Sequence, residues 1–204
     1  SAKRFIVERT LAEEFARRFA AAVAEMTVGD PTDPATRIGP LARVDLAQGL
    51  HRQVQESSKA GARALVGGQP LTEGSAFYAP TVLVDVTVDM PVMAEETFGP
   101  AAAVIAFDTD QDAARLANLT PYGLGASVWS RAESRALAVG KQIQSGALFI
   151  NAAVASAQAA FPGWSRPGCS GGCAARATAW CWPRRTRRSL ATPPAGGVRA
   201  SAST

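Results

Sequence analysis

The chain has 204 residues and a mass of 21.2 kDa, enough for one domain that buries about 70% of the surface its unfolded chain exposes, and cramped for two. At 47% apolar and 19% charged residues the composition is that of a globular protein, and the longest uncharged apolar run, "AAAVIAF", falls far short of the roughly 18 residues a membrane span needs. The net charge of +4 hides a division: residues 1–160 hold all 17 acids against 14 of the 21 lysines and arginines, whereas the tail from Phe161 has seven arginines, no acid, all three cysteines and three of the four tryptophans. So abrupt a change predicts a boundary in organisation near residue 160.

In chain order, "KRFIVE" reads as a short strand. The N-terminus passes straight into it without the apolar region and small-residue cleavage site of a signal peptide, so a cytoplasmic location is expected. Thr10-Leu11-Ala12-Glu13 has the form of a capping box and predicts a helix from Leu11 to Met26, with Leu11, Phe15, Phe19 and Val23 as its apolar stripe. "VGDPTDPATRIGPL" is a loop, because Pro31 and Pro34 stop any continuing helix. A second helix is expected over Val44 to Ala60, then "ARALVGG" as strand and turn, then "YAPTVLVDV" and "AAAVIAF" as strands. A helix near Gln111 to Asn118, the turn and strand "PYGLGASVWS", a helix near Ala132 to Ile143 and the strand "ALFIN" complete the series. Strands alternating with helices give an α/β fold with a largely parallel sheet flanked by helices, followed by an irregular tail. There is no internal repeat.

Four separated stretches then stand in an order that carries a resemblance. "SAKRFIVERTLAEEFARRFAAAVAEMTVGDPTDPATRIGPL", "FYAPTVLVDVTVDMPVMAEETFGPAAAVIAFDT", "ANLTPYGLGASVWS" and "SGALFINAAVAS" resemble the C-terminal catalytic half of the aldehyde dehydrogenase superfamily over residues 1 to about 160. The branch they resemble most is that of the bacterial succinate-semialdehyde dehydrogenases that prefer NADP. The resemblance implies an oxidoreductase that converts a small aldehyde, succinate semialdehyde for this branch, to the carboxylic acid with NADP or NAD. It also implies that the intact parent is a homo-oligomer; the short apolar runs and the character of the tail give the expectation of no membrane association and no specific nucleic-acid partner.

The same resemblance implies roles for residues. In "EETFGP" it places Glu96 on the hydroxyls of the nicotinamide ribose and Phe98 beside the nicotinamide ring. The residue types suit those tasks, since a carboxylate offers two acceptor oxygens to two vicinal hydroxyls and a flat ring restricts the nicotinamide without competing for hydride. Taken without the family, a Glu-Glu pair before a turn is a solvated loop. Ser156 matches a serine that helps hold the far carboxylate of semialdehyde substrates; read alone, it is a loop serine without a ligand, and the family's "VASDPRLPFGG" stands here as "VASAQAAFPGW". Asn151 is expected to fix a loop near the site.

In this family a cysteine thiolate attacks the aldehyde carbon, the adduct passes a hydride to the nicotinamide, and a glutamate activates the water that releases the acid. The nucleophile's motif, "GQ-x-C-x-x-A-K-R-F", would put the cysteine two positions before Ser1, and the general base and the dinucleotide-binding half lie further upstream in relatives. The expectation is therefore a fragment that contains no catalytic residue and is inactive alone. In the tail, the loss of acids with the rise of Arg, Ala, Gly, Pro, Cys and Trp is what a gene of high GC content produces when translated out of frame. With one permitted choice of codons, a shift of two nucleotides at Phe161 restores a Gly-Val-x-x-Ser-Gly pattern. The alternative function is then an inactive remnant of a frameshifted gene with only unspecific polyanion binding by the tail.

Other motifs carry less. Gly168-Cys169-Ser170-Gly171-Gly172 has the form of a hydrolase nucleophile elbow, but it lacks the flanking strand and helix, and His51 precedes the serine. Cys169, Cys173 and Cys181 make no zinc-ligand spacing, so no metal site is expected. Arg184, Arg185, Arg187 and Arg188 beside Trp180 and Trp182 would bind phosphates unspecifically. His51, inside a predicted helix, is expected to be a surface or packing residue.

Overall fold

Strand β1 (Arg4–Glu8) runs directly into helix α1 (Arg9–Ala24) in the computed structural model, which describes residues 2–153. Because no loop intervenes, α1 begins at Arg9, Glu8 takes the N-cap position without a side-chain hydrogen bond, and Thr10 is already inside the first turn. The capping box expected at Thr10 and Glu13 is therefore not formed. Phe15 and Phe19 do fold back onto the strand, where their ring centroids lie 5.9 and 4.6 Å from that of Phe5. Leu11 departs from the expected stripe and is 59% exposed, since the helix turns its first apolar residue away from the sheet while Ala16 and Val23 are buried.

The "VGDPTDPATRIGPL" segment is a loop, as its prolines require, and leads to α2 (Val44–Lys59). Strands β2 (Arg63–Val66), β3 (Thr81–Val84) and β4 (Ala101–Phe107) join β1 in a sheet of order β1-β4-β3-β2, parallel at β1–β4 and β3–β4 and antiparallel at β2–β3. A one-turn helix that the periodicity does not predict, α3 (Pro91–Ala94), lies between β3 and β4. Side chains alternate across the sheet. Val82, Val84 and Val104 face α1 in one core, and Leu83, Ala101 and Ala103 meet Leu50, Val54, Val92 and Met93 of α2 and α3 in the other. β3, buried at every position, is the centre of a helix–sheet–helix sandwich.

The remaining elements form a second unit rather than an extension of the first sheet. After α4 (Asp110–Ala117), β5 (Gly125–Val128) and β6 (Ala147–Ile150) pair parallel through α5 (Glu133–Gly140), which stops a turn short of the expected Ile143. β1 is linked to this unit near both ends. Arg4 donates to the Thr120 hydroxyl and, at 3.4 Å, to the Tyr122 carbonyl, while Glu8 pairs with Arg135 at 3.1 Å. Among the described residues no helix is long and apolar enough to cross a membrane.

Candidate functional site

Because β1 and β4 are parallel neighbours with Arg4 opposite Ala103, the chain entering β1 and the chain entering β4 lie side by side. The second of these entrances is the turn that contains Glu96 and Phe98. Its approach is set by α3, where Pro91 sits at the first helical positions and Glu95 leaves the helix in an extended conformation.

The two glutamates then part company. The Glu95 carboxylate turns onto α2, where Arg52 donates to it at 2.7 Å and Gln53 at 2.9 Å. These donors, Arg52 first and Gln53 second, hold its carboxyl below the usual glutamate range. The same Gln53 amide nitrogen donates at 3.0 Å to the backbone carbonyl of Glu96. The Glu96 carboxylate, by contrast, accepts no hydrogen bond from any described residue and is exposed. Over Glu96, Thr97 and Phe98 burial runs exposed, buried, exposed, the period of two of an extended chain, so Glu96 and Phe98 share a face. Phe98 is 53% exposed, and Thr97 is buried with a hydroxyl that has no partner among the described residues.

Beyond Phe98 the chain must reverse against α2. Gly99 does this with φ +124°, where a Cβ would lie 2.7 Å from Leu50 Cδ2 and 3.1 Å from Leu41 Cδ2. The Pro100 carbonyl then accepts from the Thr81 amide at 2.8 Å and starts the β3–β4 ladder. Lys3 reaches in from the start of β1 and donates to the Gly99 carbonyl, and burial pushes its ammonium pKa down.

The other expected residues fall as follows. Asn151, at φ +50°, accepts from the Ser130 amide at 2.9 Å and so fixes the loop after β5. His51 is a half-buried packing residue whose Nδ1 lies 3.2 Å from the hydroxyl of fully buried Tyr78. His51 lines an open groove of about 600 Å³ together with Gln48, Gln55 and Glu73, which includes neither Glu96 nor Phe98. Ser156, the three cysteines and the arginine-rich tail lie outside the described residues. Arg52, Gln53 and Lys3 are the site residues that motif reading passes over. One signal was present, since Gln53 interrupts the buried face Ala47, Leu50, Val54, Ser57 of α2 with a polar side chain.

The turn is thus an extended segment that presents an unpaired carboxylate and an aromatic ring on one face, braced from behind by α2 and leading into a parallel strand of an α/β sheet. The family model described as "Aldehyde dehydrogenase family" matches residues 1–177, and the chain belongs to that family. It is 42% identical over 160 residues to the succinate-semialdehyde dehydrogenase of Paenarthrobacter nicotinovorans, covering 78% of this chain and 36% of that protein. It is 40% identical over 169 residues to the NAD(P)+ succinate semialdehyde dehydrogenase of Escherichia coli K12, covering 82% of this chain and 37% of that one. Among solved structures, the succinate-semialdehyde dehydrogenase of Burkholderia pseudomallei superposes with a TM-score of 0.72 at 35% identity over 75% of this chain and 32% of that one. Betaine aldehyde dehydrogenase of Staphylococcus aureus in complex with NAD+ gives 0.69 at 27% identity over 73% and 30%. The chain thus spans about a third of the length of the curated relatives it matches.

Proposed function

We propose that residues 1–160 are part of the catalytic domain of an NAD(P)-dependent aldehyde dehydrogenase that oxidises succinate semialdehyde, with Glu96 on the nicotinamide ribose, Phe98 beside the nicotinamide and Ser156 on the substrate's far carboxylate. The observation that carries the reading is the division of labour in the Glu-Glu pair: Glu95 is consumed by Arg52 and Gln53, and Glu96 keeps both carboxylate oxygens for a ligand on the same face as Phe98. The names of the relatives support the substrate and the cofactor pair. The residues present fit the nucleotide, because an exposed carboxylate suits a ribose diol and an exposed ring suits a flat heterocycle. When bound, the nucleotide supplies the hydride acceptor.

This chain's own residues orient and position. Gln53 holds the backbone of the turn at the Glu96 carbonyl and, with Arg52, the Glu95 carboxylate, Glu96 accepts from the ribose hydroxyls, and Phe98 limits where the nicotinamide face can lie. We assign the nucleophilic cysteine and the general base to polypeptide other than these 204 residues, so the chain alone forms no NAD(P)H. Cys169, Cys173 and Cys181 have no basic partner in their sequence neighbourhood other than arginines, which lack a general-base function. We read residues 161–204 as out of frame, on their composition, although the family match continues to residue 177. Sequencing the DNA through codon 161 decides between the two. The intact parent is proposed to be cytoplasmic and homo-oligomeric.

The test is to graft residues 1–160 into the Escherichia coli relative in place of the segment they match. The graft should form NAD(P)H from succinate semialdehyde, and Glu96→Gln in it should lower turnover by more than it weakens nucleotide binding. Faster oxidation of unsubstituted short aldehydes would remove the substrate assignment, and turnover indifferent to Glu96 would remove the site. Turnover by the ungrafted chain above that of a cysteine-free control would overturn the assignment of the nucleophile.

A further inference from the structure

We propose that Lys3 is a positioning residue of the Glu96–Gly99 turn: its ammonium, donating to the Gly99 carbonyl, holds the Gly99 peptide in the orientation that keeps Phe98 and Glu96 on their common face. The proposal rests on the reading of those two residues as nucleotide contacts. The Gly99 peptide needs an external hold. At φ +124° it lies where only glycine is at ease, and the sheet ladder begins one residue later, with the Thr81 amide going to Pro100. Among the described residues Lys3 is the partner of the Gly99 carbonyl. Lys3 is itself anchored, because its own carbonyl accepts from the Ala103 amide at 2.9 Å. Main chain and side chain of one residue thus grip the start of β4 at two points.

Charge pairing does not account for a lysine at this position. The side chain is half-buried and forms no ion pair with any carboxylate among the described residues, so its charge is desolvated without compensation from an opposite charge. An apolar side chain would spare that desolvation but leave the Gly99 carbonyl without its donor. Nor is it interchangeable with Arg4, whose side chain leaves the other side of the strand and holds Thr120 and Tyr122 of the second unit. Two consecutive basic residues therefore hold two different turns, and Lys3 alone reaches the one that bears Phe98.

Nuclear magnetic resonance of the full 204-residue chain, labelled at lysine side chains, carbonyls and phenylalanine rings, tests this without requiring turnover. The wild type should show a slowly exchanging Lys3 ammonium signal coupled through the hydrogen bond to the Gly99 carbonyl carbon. Lys3→Met should shift that carbonyl and lower the order of the Phe98 ring, while the rings of Phe5, Phe15 and Phe19 stay as ordered as before. Lys3→Arg, which keeps a donor, should restore the Phe98 ring. A freely exchanging Lys3 ammonium in the wild type overturns the proposal even if the variants do not fold. Unchanged Phe98 order in Lys3→Met overturns it as well, and so does a loss of order shared equally by Phe5, which would mark a purely structural lysine. A graft whose turnover ignores Glu96 removes the nucleotide reading instead, and leaves the hold of Lys3 on the turn to be decided by the ring order.

Discussion

Gln53 donates one side-chain nitrogen both to the Glu95 carboxylate, at 2.9 Å, and to the Glu96 carbonyl, at 3.0 Å, so a single residue of α2 fixes the backbone between the two glutamates. Gln53 itself is 6% exposed, so the bridge is made by a buried amide. Gln53→Leu preserves the size of the side chain but strands the Glu96 carbonyl, which should cost about 2 kcal/mol of folding stability. A drop in the urea midpoint at unchanged slope would record the loss. Stability equal to wild type would show that the turn does not depend on this bridge.

Glu95 should leave a mark on the acid side of the stability curve. Its carboxyl is held low in the folded protein, by Arg52 first and Gln53 second, so it favours folding above the unfolded glutamate value and loses that contribution as pH falls through its lowered folded value. Glu95→Gln should therefore flatten the decline in stability that begins at about pH 5 and continues downward. The side chains of Arg52 and Glu95 are 50% and 44% exposed, so the effect is small and weakens further in salt. Urea melts at a series of pH values measure it, and an acid limb as steep as that of the wild type would contradict it.

Gly99→Ala tests the reversal of the chain against α2. Alanine at φ +124° is strained, and its Cβ would press on Leu50, which is itself 2% exposed and cannot retreat into solvent. Together these should cost about 3 kcal/mol. Thermal unfolding gives the value, and a shift in Tm too small to resolve would mean that the turn can rebuild with negative φ.

Thr97 is the opposite case. Its hydroxyl is buried without a partner among the described residues, so Thr97→Val removes an unsatisfied group while keeping the shape. The variant should be as stable as the wild type or more so by up to about 1 kcal/mol. Destabilisation in the same melt would demonstrate that the hydroxyl has a hydrogen-bond partner after all.

The chain by itself determined most of its elements, because helix and strand signals are local. The periodicity of α2, the β-branched run of β3 and the prolines between Gly29 and Leu41 each act over a few residues, and α2, β3 and the loop lie where those signals put them. The order of motifs likewise pointed to the family. The start of α1 at Arg9, the one-turn α3 and the separation of β5 and β6 from the main sheet were not legible, since each depends on which strands pair and on what a short segment packs against. The site divides in the same way. "EETFGP" marks the turn and the likeness of motifs singles out Glu96, but two adjacent glutamates are chemically identical in sequence. Only the packing of α2 behind the turn, with Arg52 and Gln53 taking Glu95, makes one of them a brace and leaves the carboxylate of the other exposed and unpaired among the described residues, because hydrogen bonds between residues some forty positions apart exist only after the chain has folded.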